Sequence, residues 1–334
     1  MMEARTLGTD GPAVSAIGLG TWAIGGPFWE GGDRAQPLGW GEVDDAESIR
    51  TIETALDCGI TLFDTAAAYG AGHSERVLGR ALRGRRGEAT IAPKFGFRFD
   101  DQTRATLGVE PRPEALAAAC EASLQRLGID AIDLYQLHIS DCDPDDAMAL
   151  RAELEQLVER GLIRAYAWST DDPERAALWA DGAHCAAVQH ALHVLADAPE
   201  MLALCEQHGL ASLNRSPLAM GLLTGKWTAS STLPADDVRG SNPEWLTYFA
   251  DGRPSPEWLA LVSDLREILT ANGHTLGQAA LAWILARSPA AIPIPGARTP
   301  EQVLENARVL ELGPLTAEQM AQVAALLGRE HAVR

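Results

Sequence analysis

The feature that most constrains the fold of this chain is a repeated alternation of short apolar segments with helical patterns. The short segments have the length and composition of buried strands, and the helical patterns place apolar residues at steps of three and four. This alternation is typical of βαβ units that build a parallel sheet. The candidate strands are Ser15 to Trp22, Ile60 to Thr65, Ala89 to Phe95, Ile132 to His138, Ile163 to Ser169, Cys185 to His190, Leu210 to Arg215 and Ala291 to Ile294.

Eight such units predict a (β/α)8 barrel, and 334 residues suit a barrel of this kind with insertions. Gly25 to Leu38 and Ser230 to Pro256 are rich in Gly, Pro and Ser, and we interpret them as long loops over the C-terminal face of the barrel. Ala4 to Val14 is predicted to form an N-terminal β-hairpin. No linker is evident, so residues 1–334 are interpreted as a single domain. An open doubly wound sheet is the alternative topology.

Charge and composition exclude several classes of partner. A formal net charge of −19 argues against nucleic acid or an anionic membrane, since both require a basic face. No stretch reaches the roughly 20 apolar residues of a membrane span, and the N-terminus lacks a signal pattern. The sequence therefore predicts a cytoplasmic protein. The five cysteines show no CxxC spacing, so they indicate neither a disulfide framework nor a zinc site.

Lysine is scarce, since only Lys94 and Lys226 occur among 27 basic residues. An ammonium group is a compact charge whose pKa shifts readily on burial, whereas a guanidinium group stays protonated. Lys94 is therefore a candidate for proton chemistry, although two tolerant surface positions would give the same composition. Lys94, Asp64 and His138 each end a strand-like segment. Because the C-terminal ends of barrel strands surround the active site, we expect these side chains to lie close together.

The order of several motifs carries a family resemblance. Along the chain these motifs are Gly18 to Trp22, Asp64 with Tyr69-Gly70, Lys94, Leu137-His138, Ser216 to Lys226 and Ile292 to Arg298. With them the sequence resembles the aldo-keto reductase superfamily over nearly its whole length. The resemblance implies a (β/α)8 barrel that binds NADPH in an extended form, without the GxGxxG loop of Rossmann domains.

The resemblance implies a catalytic tetrad of Asp64, Tyr69, Lys94 and His138. Reduction of a carbonyl by hydride creates an alkoxide, so the site must supply a proton where that charge develops. A phenol with a pKa of about 10 is a weak acid, and we expect the Lys94 ammonium to lower the pKa of Tyr69. Asp64 would keep Lys94 charged, and His138 would fix the carbonyl oxygen. Taken singly, Asp64 could instead be a cap, Tyr69 a rim aromatic and His138 a core histidine.

The resemblance also implies where the nicotinamide end of the cofactor binds. Ser169, Thr170 and Gln189 match the residues that hold the carboxamide, although Thr170 stands where the family has asparagine. Arg215 stands where the family commonly places an aromatic ring under the nicotinamide. A flat guanidinium can stack on a ring, and its charge favours the neutral, reduced cofactor.

The phosphates and the rest of the cofactor are expected to lie along the motifs that follow. Lys226 matches a position near the pyrophosphate, and Arg298 precedes a helix whose N-terminus would face a phosphate. NADPH is the expected cofactor, and NADH is possible because the family often has a cation where this chain has Gly296 or Gln302. The remaining predicted cofactor-binding residues are Ser216, Leu218, Gly221, Glu305 and Asn306.

Three tryptophans are predicted to bind substrate. Trp22, Trp29 and Trp40 fall in or beside the first long loop, and flat aromatics at a barrel mouth suit a small-molecule carbonyl substrate. They could instead pack on the barrel or form a subunit contact. The prediction is an NADPH-dependent reduction of an aldehyde or ketone to an alcohol, without a metal, by a monomer or weak homo-oligomer.

Two alternative functions fit parts of the sequence. One is a regulatory or redox-sensing subunit that binds NADPH with little turnover. The other is a metal-dependent barrel hydrolase built on Asp64, His138, His190 and His193, in which Lys94 and Tyr69 would have no role.

Overall fold

Parallel strands form a closed ring at the centre of the structure. The computed structural model describes residues 4–32, 34 and 36–329. The strands of the ring are β1 (Gly18–Gly20), β2 (Leu62–Asp64), β3 (Thr90–Ala92, continuing after Pro93 as Lys94–Phe95), β4 (Ile132–Leu137), β5 (Ile163–Ser169), β6 (Cys185–Ala191), β7 (Ala211–Arg215) and β8 (Ala291–Pro293). Seven of the eight predicted strand segments contain one of these strands, and β6 extends one residue beyond the remaining segment, Cys185 to His190.

The ring closes between its first and last strands. Neighbouring strands pair in parallel from β1 to β8, and Gly20 then forms a bridge to Gly296. The Gly20 N–H donates to the Pro295 carbonyl at 3.1 Å. A Cβ atom at Gly20 would lie 2.9 Å from the Ile294 carbonyl oxygen, so glycine permits this close approach. Closure confirms the predicted (β/α)8 barrel and excludes the open doubly wound sheet.

Helices surround the ring. They are α1 (Asp45–Asp57), α2 (His73–Ala81), α3 (Pro113–Leu127), α4 (Pro144–Glu159), α5 (Pro173–Ala180), α6 (Pro199–His208), α7 (Pro256–Thr270), α8 (Leu276–Arg287), α9 (Pro300–Ala307), α10 (Val309–Leu312) and α11 (Ala317–Leu326). Six of the described helices begin with proline in the first turn, where a missing N–H removes no helical hydrogen bond. No helix in the described part of the chain is long and apolar enough to cross a membrane.

The predicted N-terminal hairpin lies at the bottom of the barrel. Ala4–Thr6 pairs antiparallel with Ala13–Ser15, as the sequence indicated. Leu7 and Val14 are buried in the same apolar cluster as the inward-facing residues of the barrel strands, which are Leu62, Ala92, Leu134, Ala167, Leu213 and Ile292. The hairpin thus closes the bottom of the barrel, and the open end lies at the C-terminal ends of the strands.

A small additional sheet lies at the open end. Trp29–Glu30 and Gln36–Pro37 from the first long loop join Phe97–Asp100 and Ala105–Val109 from the segment after β3. The sequence analysis predicted a loop from Gly25 to Leu38 and made no prediction for the segment after β3. The strand pairs of this additional sheet, such as Trp29 with Ala105, join residues far apart in the chain. Strands this short also have little hydrophobic pattern of their own.

The second long loop is tied to the first. It contains a 3-10 turn, Val238–Gly240, and a short hairpin of Phe249–Ala250 with Arg253–Pro254. The Val238 N–H donates to the Gly39 carbonyl at 2.8 Å. Both loops therefore lie over the same opening.

Candidate active site

A cavity of about 740 Å³ opens at the C-terminal ends of the strands, below the two long loops. Most residues predicted for the site line it, and Lys94 contacts two of them from behind the wall. The predicted residues in the lining are Trp22, Trp40, Asp64, Tyr69, His138, Ser169, Gln189, Arg215, Ser216, Leu218, Gly221, Lys226, Gly296, Arg298, Gln302, Glu305 and Asn306.

Lys94 connects an acid to a phenol at the cavity wall. Its Nζ donates to Asp64 Oδ1 at 2.5 Å, to the Thr65 carbonyl at 3.0 Å and to Tyr69 Oη at 3.2 Å. Lys94 has no exposed surface. Burial alone would lower the pKa of Lys94, but Asp64 and Tyr69 outweigh burial and raise it. The lysine is therefore held in its charged form, as the sequence analysis expected.

Asp64 is held by two glutamines as well as by the lysine. Gln136 Nε2 donates to Asp64 Oδ2 at 2.9 Å, and Gln189 Nε2 donates to the same oxygen at 2.7 Å. Hydrogen bonds to the charged form stabilise a buried carboxylate. Gln136, on β4, was not predicted for the site, although its position two residues before His138 could have suggested an inward-facing side chain.

The expected lowering of the Tyr69 pKa does not occur. Burial raises the pKa of Tyr69 above its ordinary value, and the opposing effect of Lys94 offsets burial only in part. The ammonium group acts as expected, but the phenol lies in a position that water solvates poorly. Tyr69 is therefore fully protonated at neutral pH and has a proton to donate.

His138 lies beside the phenol in its neutral form. The rings of Tyr69 and His138 are perpendicular, with centroids 5.7 Å apart. Phe97 packs on His138 in the same manner, with centroids 5.3 Å apart. Burial lowers the pKa of His138 well below its usual value, and the charges of Lys94 and Arg215 lower it further. A neutral imidazole can donate one hydrogen bond to an oxygen in the cavity.

Three residues at the ends of β5, β6 and β7 line the cavity near this group. Ser169 pairs with Gln189 in the strand register, and Arg215 ends β7. Thr170 is fully buried and does not line the cavity. Its hydroxyl oxygen accepts a hydrogen bond from the Asp172 N–H at 3.2 Å. The predicted contact of Thr170 with the carboxamide therefore has no support from its position.

The other end of the cavity is rich in positive charge. Burial lowers the pKa of Lys226, and the charges of Arg239 and Arg298 lower it further. Arg239 pairs with Asp237 at 2.6 Å. The Arg298 guanidinium donates to the carbonyls of Trp40, at 2.8 Å, and Glu42. Arg298 therefore also holds the segment that follows the first long loop, a role that the sequence did not indicate.

The backbone after β7 is strained beside these cations. Ser216, Ala219 and Met220 have φ values of 52°, 47° and 55°. Such conformations are unfavourable for residues with a side chain, and they are common at ligand sites. Ser216 and Met220 both line the cavity.

Aromatic side chains form another part of the cavity wall. Trp22 stacks on Tyr69 with ring centroids 6.0 Å apart, and Trp40 and Trp245 pack on Trp22 at 5.3 Å and 6.4 Å. Trp245 is 58% exposed, so it is available to a ligand. Trp29 lies outside the cavity, with the Arg34 guanidinium 4.3 Å from its ring centroid. Its place in the additional sheet turns it away from the predicted substrate pocket.

Some lining residues were not predicted, among them Phe97 and Arg239. Both lie outside the strand ends that guided the prediction.

Metal ligation has little basis in the same region. Within residues 4–32, 34 and 36–329 no group of three or more His, Cys, Asp or Glu side chains could hold a metal ion. Of the histidines considered for a hydrolase, neither His190 nor His193 lines the cavity.

The sequence model of the Aldo/keto reductase family matches residues 16–327. The chain belongs to the aldo/keto reductase family. An aldo-keto reductase of Bacillus subtilis (strain 168) is 34% identical and covers 90% of this chain and 87% of its own length. An NADH-specific methylglyoxal reductase of Escherichia coli (strain K12) is 33% identical and covers 98% of this chain and 100% of its own length.

Solved structures of aldo-keto reductases have the same fold. A glycerol dehydrogenase from Gluconobacter oxydans has a TM-score of 0.80 and 33% identity, covering 97% of this chain and 94% of that one. An aldo-keto reductase from Klebsiella pneumoniae, solved in complex with NADPH, has a TM-score of 0.70 and 27% identity, covering 99% and 98%. The predicted family, the barrel and the assignment as an NAD(P)H-dependent oxidoreductase are confirmed.

Proposed function

We propose that this protein reduces the carbonyl group of an aldehyde or ketone to an alcohol, with NADPH as the hydride donor and NADH as an alternative. The observation that carries this proposal is the position of Lys94 Nζ, in hydrogen-bond contact with both Asp64 and Tyr69 at the cavity wall. The Klebsiella relative was solved with NADPH, and the Escherichia coli relative is NADH-specific. Both cofactors therefore belong in the test.

The cavity fits a nicotinamide dinucleotide. At one end Lys226 and Arg298 provide positive charge for phosphates, whereas Arg239 is already paired with Asp237. At the other end Ser169 and Gln189 offer polar groups beside the tetrad. Bound there, the reduced cofactor would supply the hydride. The remaining predicted cofactor-binding residues line the same cavity, and Thr170 is the exception.

Residues of the chain would donate the proton and stabilise the charges that form. Tyr69 Oη donates its proton to the carbonyl oxygen as the alkoxide forms, and a positioned acid of this kind contributes about 10²–10⁴-fold to a rate. The Lys94 ammonium stabilises the phenolate that remains, and Asp64 keeps the ammonium oriented. Neutral His138 donates a hydrogen bond to the same carbonyl oxygen. Trp22, Trp40 and Trp245 would pack against the apolar part of the substrate.

The pKa shifts predict a flat pH profile. The acid form of Tyr69 is required, and because its pKa is raised, that form is lost only as the pH rises through a value above 10. His138 stays neutral because its pKa is lowered. We expect kcat/KM for carbonyl reduction to be constant from about pH 6 to about pH 9. A titration step between these limits would contradict these assignments.

A single titration series tests the function. Tryptophan fluorescence is recorded while NADPH, and separately NADH, is added, and a reactive aromatic aldehyde then follows while absorbance of the reduced cofactor is monitored. We expect saturable binding and oxidation of the cofactor on addition of the aldehyde. Binding without oxidation would favour the regulatory alternative, and absence of binding would remove the proposal.

Three further predictions complete this proposal. Residues 1–334 act as a single domain, the protein is a monomer or weak homo-oligomer, and it works in the cytoplasm. Analytical ultracentrifugation with and without NADPH is the direct measurement of the oligomeric state.

A further inference from the structure

Arg215, at the end of β7, is held at the cavity by an acid that follows β5, on the far side of β6. Asp171 lies two residues beyond the end of β5, and its Oδ2 forms an ion pair with Arg215 Nη2. Its other oxygen, Oδ1, accepts the Ala191 N–H at 2.7 Å. Ala191 is the residue directly opposite Arg215 in the register of β6 and β7. Asp171 therefore fixes Arg215 against the adjoining strand.

This ion pair is poorly suited to a stabilising role. The side chains of Arg215 and Asp171 are 38% and 51% exposed. Exposed pairs of this kind typically contribute little to folding, because water and salt screen them. A long arginine side chain also has considerable rotamer freedom, which the contact with Asp171 restricts. The ion pair is better explained by the position in which Asp171 holds the Arg215 guanidinium at the cavity.

The charge of Arg215 faces the reactive end of the cavity. Burial is the main influence on two pKa values here, because it raises that of Tyr69 and lowers that of His138. The positive charge of Arg215 has a smaller effect and lowers both pKa values. Burial is also the main cause of the lowered pKa values of His190 and His193. Arg215 lowers these two pKa values further, and Asp171 raises them. Arg215 thus acts on the tetrad end of the cavity, and Asp171 opposes its charge at the neighbouring His190 and His193.

We propose that Asp171 is a positioning residue, which holds the Arg215 guanidinium beside the nicotinamide site and balances its positive charge against the oxidised ring. The inference rests on the proposed function, because it requires a nicotinamide beside Arg215. The ring is neutral when reduced and cationic when oxidised. Arg215 alone would repel the oxidised ring, and the carboxylate of Asp171 offsets that repulsion. The pair therefore sets the relative affinity for NADP⁺ and NADPH.

The matched test is Asp171→Asn, which keeps the size of the side chain and an oxygen for the Ala191 N–H but removes the negative charge. Dissociation constants for NADP⁺ and for NADPH are measured by fluorescence quenching on the full chain. We expect the ratio Kd(NADP⁺)/Kd(NADPH) to rise about tenfold, because the Arg215 charge at the cavity loses its counter-charge. The Kd of NADPH should stay close to that of the unaltered protein.

Two further variants separate this effect from general electrostatics. Arg215→Gln should lower the same ratio, and the double variant should return it toward the original value. Glu244→Gln removes an equal charge from the exposed loop at the cavity mouth and should leave the ratio unchanged.

The outcomes distinguish the inference from the proposed function. Equal weakening of both cofactors by Asp171→Asn would indicate a purely structural role, and an unchanged ratio would show that the pair does not balance charge at the ring. Either result overturns the inference while leaving the reductase intact. Failure of the unaltered protein to bind either cofactor would remove the proposed function itself.

Discussion

Replacement of Tyr69 by phenylalanine is expected to abolish carbonyl reduction while leaving NADPH binding almost unchanged. The variant keeps the ring that stacks on Trp22 and packs against His138. It loses only the hydroxyl that lies 3.2 Å from Lys94 Nζ. Because that hydroxyl is the proton donor in the proposed mechanism, kcat should fall by about 10²–10⁴-fold.

The measurement is a comparison of kcat with the dissociation constant of NADPH for the same protein. Phe97→Leu is a suitable control, since it changes another ring beside His138 without removing an acidic proton. We expect that control to alter KM more than kcat. Turnover by the Tyr69 variant at a rate similar to the unaltered protein would exclude Tyr69 as the acid.

Much of this site could be predicted because its residues lie at the ends of regular strands. Asp64 ends β2, Lys94 follows a proline in the middle of β3, and His138 comes directly after β4. The barrel brings consecutive strand ends together whatever the sequences of the intervening helices. Their convergence therefore followed from the order of elements, which the hydrophobic pattern reveals.

Other features depended on contacts between distant segments and were not predicted. Arg239 lies in the second long loop, yet its guanidinium carbon is 4.4 Å from the ring centroid of Trp40, just after the first. Trp29 is drawn into the additional sheet by pairing with Ala105. No local pattern specifies such pairs. The pKa of Tyr69 was wrongly predicted for a related reason, because burial is a property of the assembled site and exceeds the effect of one nearby charge.

The substitution Lys94→Met is expected to remove activity and also to destabilise the protein. Lys94 and Asp64 form a buried ion pair, with 0% and 4% of their side chains exposed. Loss of the ammonium leaves the Asp64 carboxyl group without its cationic partner in a position shielded from water. Removal of one partner from a buried pair costs about 3–5 kcal/mol in the free energy of unfolding. Urea unfolding and kcat measured on the same preparation would give both effects.

A second substitution separates the loss of stability from the loss of catalysis. In Asp64→Asn combined with Lys94→Met the buried charge is absent, so most of the unfolding free energy should return while kcat stays low.

Lys94→Arg keeps the charge but places a larger, planar group where Nζ now contacts Asp64, Thr65 and Tyr69, and we expect it to be severely impaired. The same exchange at Lys226, which is an exposed residue at the cavity edge, should cost much less. Near-normal turnover by Lys94→Arg would show that any cation at this position suffices, and the argument from the scarcity of lysine would then have no force.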